Sequence, residues 1–158
     1  ALTPSLYREM LKNERVVGVK NSSMPVQDIQ TFASIAGPEK IVFNGPDEQF
    51  LAGRLMGAAG GIGGTYGAMP ELFLRLNHLI ENKELEQAKE LQYAINDIIA
   101  KLCSCHGHMY AVIKAVLKIN EGLELGGVRS PLSNLIVTDQ PAVEKAAALI
   151  QATKEKFL

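Results

Sequence analysis

"RVVGVK", residues 15–20, followed by "NSS" at 21–23, sets one lysine at the end of a short β-branched run. Such a run reads as a strand buried on both faces. A second run of the same kind, "KIVFNG", occupies residues 40–45. Between them Ser23 and Pro25 open a helix over "VQDIQTFASIAG", which Gly37 and Pro38 end. Strands buried on both faces and alternating with helices imply a parallel sheet.

The same unit extends in both directions. Thr3 before Pro4 is a helix-start signal, and predicts a helix from Pro4 to about Asn13. "DEQFLAGRLMGA" predicts a third helix, with Phe50, Leu51, Leu55 and Met56 on one stripe. "GGIGGTY", residues 60–66, is expected as a third strand despite its glycines. From Pro70 onward apolar residues recur at three- and four-residue spacing in four segments. An irregular loop over 121–138 separates the last two. Three parallel strands leave two open edges and one unclosed apolar surface, which invites association with another copy or a larger partner.

Composition bounds the rest. A chain of 158 residues encloses one ordinary core, and 47% hydrophobic with 21% charged residues is globular. Sixteen basic and seventeen acidic side chains leave no basic stripe, which argues against nucleic acid as a partner. No apolar run approaches the roughly 18 residues of a membrane span, and "ALTPSLYREM" has no leader pattern. Cys103 and Cys105 are one residue apart and form no disulfide framework, so a reducing cytoplasm is expected.

Several residues carry possible chemistry. In a strand Lys20 shares a face with Gly18 and Val16, at the C-terminal end where α/β folds place their sites. Burial there would lower the pKa of a lysine from about 10.4 and favour the neutral amine that attacks a ketone. The plainer alternative is a lysine that emerges at the strand end to pair with an acid. Asp47 and Glu48 follow the second strand, where carboxylates either bind a polyhydroxylated ligand or act as a cap and a first-turn acid. Ser22 and Ser23 stand in the same position after the first strand, one of them expected as a cap. In "GGIGGTYG" the third glycine of a dinucleotide fingerprint is Tyr66, so the fingerprint fails. "CSCHGH", residues 103–108, matches no two-pair zinc spacing and reads as a helix end. No metal is expected.

With "GVKNSS", "FNGPDEQFLAGRLMGAAGGIGGTYG" and the all-helical tail assembled, the chain resembles the pyruvate-dependent aldolase family of N-acetylneuraminate lyase and dihydrodipicolinate synthase. The resemblance implies an α/β fold, the C-terminal half of a (β/α)8 barrel. Strands six to eight would lie at Arg15–Lys20, Lys40–Gly45 and Gly60–Thr65, followed by a helical bundle. It divides the chain into barrel units at 1–81 and a helical extension at 82–158. It implies Lys20 as the Schiff-base nucleophile, with no cofactor beyond that lysine. Ser22 matches a substrate-binding hydroxyl position, and Gly45, Asp47 and Glu48 match positions that bind a sugar-derived hydroxyl chain. Gly64 falls where the sialic acid lyases usually carry a serine, and Tyr66 reads as structural.

The implied reaction is cleavage of sialic acid to pyruvate and N-acetylmannosamine. The family's catalytic tyrosine would lie a few residues before Ala1, so these residues alone are expected to be inactive. The implied partners are small molecules and either further copies of the chain or the N-terminal half of the barrel. Dihydrodipicolinate synthase or another pyruvate aldolase of the same barrel is the alternative within enzymes. A non-catalytic, self-associating half-barrel is the alternative outside them.

Overall fold

The computed structural model describes residues 1–158, which divide into two compact units, Ala1–Gly63 and Gly64–Leu158. The first is α/β. Its helix α1 spans Pro4–Met10, and the Thr3 hydroxyl accepts from the Leu6 N–H at 3.2 Å. The helix stops short of Asn13 because the N–H groups of Lys12 and Asn13 turn back three residues, onto Glu9 and Met10. Strand β1, Gly18–Asn21, starts later than its apolar run because the Val16 N–H is still tied to Asn13 in that turn.

Helix α2 covers Gln27–Ala36, strand β2 Ile41–Asn44 and helix α3 Phe50–Leu55, preceded by one 3₁₀ turn over Asp47–Gln49. Leu55 and Met56 are half-exposed rather than part of a buried stripe, and Phe50 alone is buried from that set. Strand β3 is only Gly60–Gly61. The strands are parallel in the order β1–β2–β3, with Val19 paired to Val42, Lys20 to Phe43 and Phe43 to Gly60.

Alternation assigns the two faces. Val19 and Val42 face a cluster of Tyr7, Ile29, Phe32 and Ala58, so α1 and α2 cover that side. Ile29 and Phe32 each contribute roughly 1.5–3 kcal/mol by leaving water. The opposite face carries Gly18, Lys20, Ile41, Phe43 and Gly60, and its Ile41 is 44% exposed. No helix of this unit covers it.

The second unit is helical: α4 Pro70–Glu81, α5 Leu85–Leu102, α6 Met109–Glu121 and α7 Gln140–Phe157. Helix α4 packs on α5 and α7, and α7 packs on α5 and α6. Leu72, Leu76, Leu79, Leu91, Ile95 and Ile150 are fully buried between them, at the spacing the sequence shows. The segment between α6 and α7 is irregular and is tied down by polar contacts. Lys114 donates to the Gly127 carbonyl at 2.6 Å. The Asp139 carboxylate, 2% exposed, accepts from the backbone N–H groups of His106 at 2.8 Å, Gly107 at 3.1 Å and Ile136 at 3.1 Å. Burial alone would raise its carboxyl, but those donors and the His106 ring outweigh it and hold the group at about 2. No helix of the chain is long and apolar enough to cross a membrane.

Candidate active site

Lys20, Ser22, Asp47 and Glu48 lie at or just beyond the C-terminal ends of β1 and β2, and parallel pairing brings those ends to one edge of the sheet. Lys20 is the penultimate residue of β1, in one row with Phe43 and Gly60 on the face without helices. Its side chain is exposed. The buried amine expected from the sequence is therefore not found within this chain, and the physical reason is the one-sided sheet. A residue on the uncovered face of three strands meets water, whatever its neighbours on the other face.

Ser22 is exposed and lies directly against Gly45. The Gly45 N–H donates to the Asn21 carbonyl at 2.7 Å, extending the ladder one step past the strands. A Cβ on Gly45 would stand 2.6 Å from the Ser22 hydroxyl oxygen, so only a glycine permits this approach. Asp47 is 5% exposed and Glu48 exposed. Neither the 3₁₀ turn nor α3 receives a side-chain cap, so no capping is observed, while both acids do stand in the first turn of the 3₁₀ segment. The Asp47 carboxylate instead rests against the backbone of Gly63, in space that a Cβ at 63 would occupy.

Ser23 does not cap α2, whose N-terminal residue Val26 has no side-chain cap. Its hydroxyl stands 2.6 Å from the Asp28 carboxylate and 2.9 Å from the Asn21 side-chain oxygen, and its carbonyl accepts from Gln49 Nε2 at 3.2 Å. The turn that holds Ser22 is thus fixed on both sides. The strand-end asparagines were not singled out from the sequence. Asn21 and Asn44 are buried and in register, and Asn44 Nδ2 donates to the Pro46 carbonyl at 2.6 Å, just ahead of Asp47. The available signal was the repetition itself: "VKN" and "VFN" end the two strands alike.

Gly64 belongs to the second unit. A Cβ there would lie 2.9 Å from the Tyr110 hydroxyl and 3.1 Å from Met109 Cε, so the tyrosine fills the space a side chain would need. Tyr66 packs on Phe73, ring centroids 3.9 Å apart. The residues of "CSCHGH" have local roles: His108 Nδ1 accepts from the Tyr110 N–H at 3.2 Å, and His106 joins the Asp139 anchor. No three His, Cys, Asp or Glu side chains converge as a metal site.

Comparison with known proteins identifies the framework. The model of the dihydrodipicolinate synthetase family matches residues 1–151. The chain is 61% identical over its whole length to an N-acetylneuraminate lyase of Mediterraneibacter gnavus, covering 50% of that protein. It is 35% identical over 147 residues to the N-acetylneuraminate lyase of Rhizobium meliloti, covering 48% of it. Among solved structures, Ruminococcus gnavus sialic acid aldolase superposes with a TM-score of 0.98 at 61% identity, over all of this chain and 52% of that one. A catalytic-lysine mutant of the same aldolase superposes equally well. The chain thus spans about half the length of the curated relatives it matches. On this evidence the chain belongs to the dihydrodipicolinate synthetase family.

Proposed function

We propose that this chain is the nucleophile-bearing half of an N-acetylneuraminate lyase barrel, and that Lys20 forms the Schiff base. The observation that carries the reading is a lysine at the C-terminal end of a parallel strand, on the sheet face no helix covers. That face is the interior when eight such strands close into a barrel. Strands six to eight of the barrel would correspond to β1, β2 and β3. The remaining strands would cover the face, exclude water from Lys20 and complete both open edges. The 61% identity to a lyase, and to an aldolase studied as a catalytic-lysine mutant, supports the assignment.

The chemistry follows from the amine. Its lone pair adds to the keto carbon of open-chain sialic acid, and water leaves as the imine forms. The protonated imine accepts the electron pair of the carbon–carbon bond two atoms away. That bond breaks as a base takes the hydroxyl proton, which releases N-acetylmannosamine as an aldehyde. The enamine left on Lys20 gains a proton at carbon, and hydrolysis returns pyruvate and the free amine. No cofactor is required, because the iminium is the electron sink. Ser22, Gly45, Asp47 and Glu48 would orient the substrate, the two carboxylates accepting from its hydroxyl chain; Gly64 is the position at which the resemblance places a serine in the sialic acid lyases. The proton shuttle would come from the other half of the barrel. Residues 1–158 alone should therefore turn over little or no substrate, since a missing acid–base group costs about 10²–10⁴ in rate.

Reduction with borohydride in the presence of pyruvate tests this on the complete barrel protein. One reduced pyruvate carried covalently at Lys20, and none in Lys20→Ala, is the expected result. An unlabelled Lys20 would end the reading. The bare face also favours a second interpretation, a half-barrel that pairs with its own copies and has no activity. An unlabelled protein that is a dimer in solution would be its signature. Condensation of aspartate semialdehyde with pyruvate in place of sialic acid cleavage would move the assignment to the synthase branch.

A further inference from the structure

The two segments that would hold substrate leave neighbouring strands and are joined at their base by the sheet. The Gly45 N–H donates to the Asn21 carbonyl at 2.7 Å, one step past the paired residues. Beyond that step a side chain crosses from one segment to the other. Gln49 Nε2 donates to the Ser23 carbonyl at 3.2 Å, linking residues 26 apart in sequence. Both ends of this bond are held. The Ser23 hydroxyl donates to the Asp28 carboxylate at 2.6 Å, which anchors the acceptor to the first turn of α2. On the donor side Asp47, Glu48 and Gln49 form a single 3₁₀ turn, closed by the Phe50 N–H on the Asp47 carbonyl. Holding Gln49 therefore holds the two carboxylates that precede it. Gln49 is itself half-buried, so water competes only in part for its amide.

We propose that Gln49 is a positioning residue that sets the span between the Lys20–Ser22 segment and the Asp47–Glu48 turn, and so favours substrates long enough to touch both. The inference rests on the function proposed above. Sialic acid would meet Lys20 with its keto carbon and the two carboxylates with its hydroxyl chain. Its productive pose then needs both segments at one separation, and a span left loose loses orientation at the reacting bond. Pyruvate reaches only the first segment. Its capture depends on Lys20 and the Ser22 turn, which stays tied to α2 through Asp28 whether or not Gln49 bonds. A hydrogen bond between uncharged partners is worth a factor of about three to ten. That factor should fall on the long substrate alone.

The test uses the complete barrel protein and two variants that remove the donor with different shapes. Gln49→Met keeps the length of the side chain, and Gln49→Leu shortens and branches it. Expected for both is a fall of about three- to tenfold in kcat/KM for sialic acid. The pyruvate concentration that half-saturates borohydride trapping at Lys20 should stay within about twofold of wild type. An unchanged kcat/KM in either folded variant would overturn the proposal. So would a parallel loss of trapping, or loss of the fold in both variants, since either makes Gln49 a general support of the unit. Absence of trapping in the wild type would instead remove the role of Lys20, and the function proposed above would fail before Gln49 came into question.

Discussion

Replacing Gly63 with alanine is a small change whose consequence is set by one carboxylate. The added methyl falls on the Asp47 side chain, with Asp47 Oδ2 2.8 Å away and the remaining carboxylate atoms closer still. Asp47 is 5% exposed, and its carboxylate must shift to admit the methyl. Overpacking of this kind costs about 1–3 kcal/mol. Alanine recovers about 0.4–1 kcal/mol through a less flexible unfolded chain, so the net loss is about 1–2 kcal/mol. At about 2–4 °C per kcal/mol this lowers Tm by about 2–8 °C. Urea denaturation of wild type, Gly63→Ala, Asp47→Gly and the double variant isolates the cause. With the carboxylate gone only the gain of about 0.4–1 kcal/mol from the less flexible unfolded chain should remain, giving a coupling of about 1–3 kcal/mol between the sites. If the alanine is equally costly without Asp47, the steric account of this pair is wrong.

Three further outcomes follow from the second unit. Asp139→Asn should lower Tm by several degrees at neutral pH. The folded carboxyl sits at about 2, below its unfolded value of about 3.9. The wild-type advantage should therefore be complete above about pH 4 and vanish as pH falls toward 2, which denaturation at a series of pH values reads directly. Lys154, only 14% exposed, lies 3.0 Å from Glu71 and 3.6 Å from Glu121. Burial raises the Glu71 carboxyl, but a backbone hydrogen bond and Lys154 outweigh it and hold the group below the usual range. Lys154→Met should cost about 1–2 kcal/mol, discounted because both acids are half-exposed; adding Glu121→Gln should restore part of it in chemical denaturation. Gly64→Ser should destabilise by about 1–3 kcal/mol because Tyr110 must move, and Tyr110→Ala should remove most of that penalty, read from the same melting curves.

Much of the fold is legible in the sequence because periodicity and caps act locally. Thr3–Pro4 starts α1 as expected, the two β-branched runs give β1 and β2, and the spacing of Leu72, Leu76, Leu91 and Ile95 yields helices with buried stripes. The misreadings share a cause in longer-range contacts. Ser23 looks like a cap and instead reaches Asp28, a choice made by side-chain geometry rather than residue type. Leu55 and Met56 satisfy a helical stripe, yet α3 ends at Leu55 before that stripe can meet a core. Strand β3 is two glycines long, in register with Phe43 and Asn44, and its flanking Ala59 and Ile62 N–H groups donate to the Val42 and Asn44 carbonyls. Lys20 was recognisable as a strand-end lysine, but its exposure depends on which faces of the sheet are covered, and a single strand's residues do not encode that. Asn21 and Asn44 escape notice since an asparagine after a strand ordinarily marks a turn.

The one-sided sheet also says what a replacement half would have to provide. Val19 and Val42 already have their apolar company, and the four-helix unit has a closed interior of its own. What is missing is local: a backbone neighbour for the outer side of β1, another for β3, and an oily lid over Ile41, Phe43 and Ile62. A chimera maker could swap in any companion half that meets those three demands, and the seam between donor and host would run along two strands and across the apolar face they enclose.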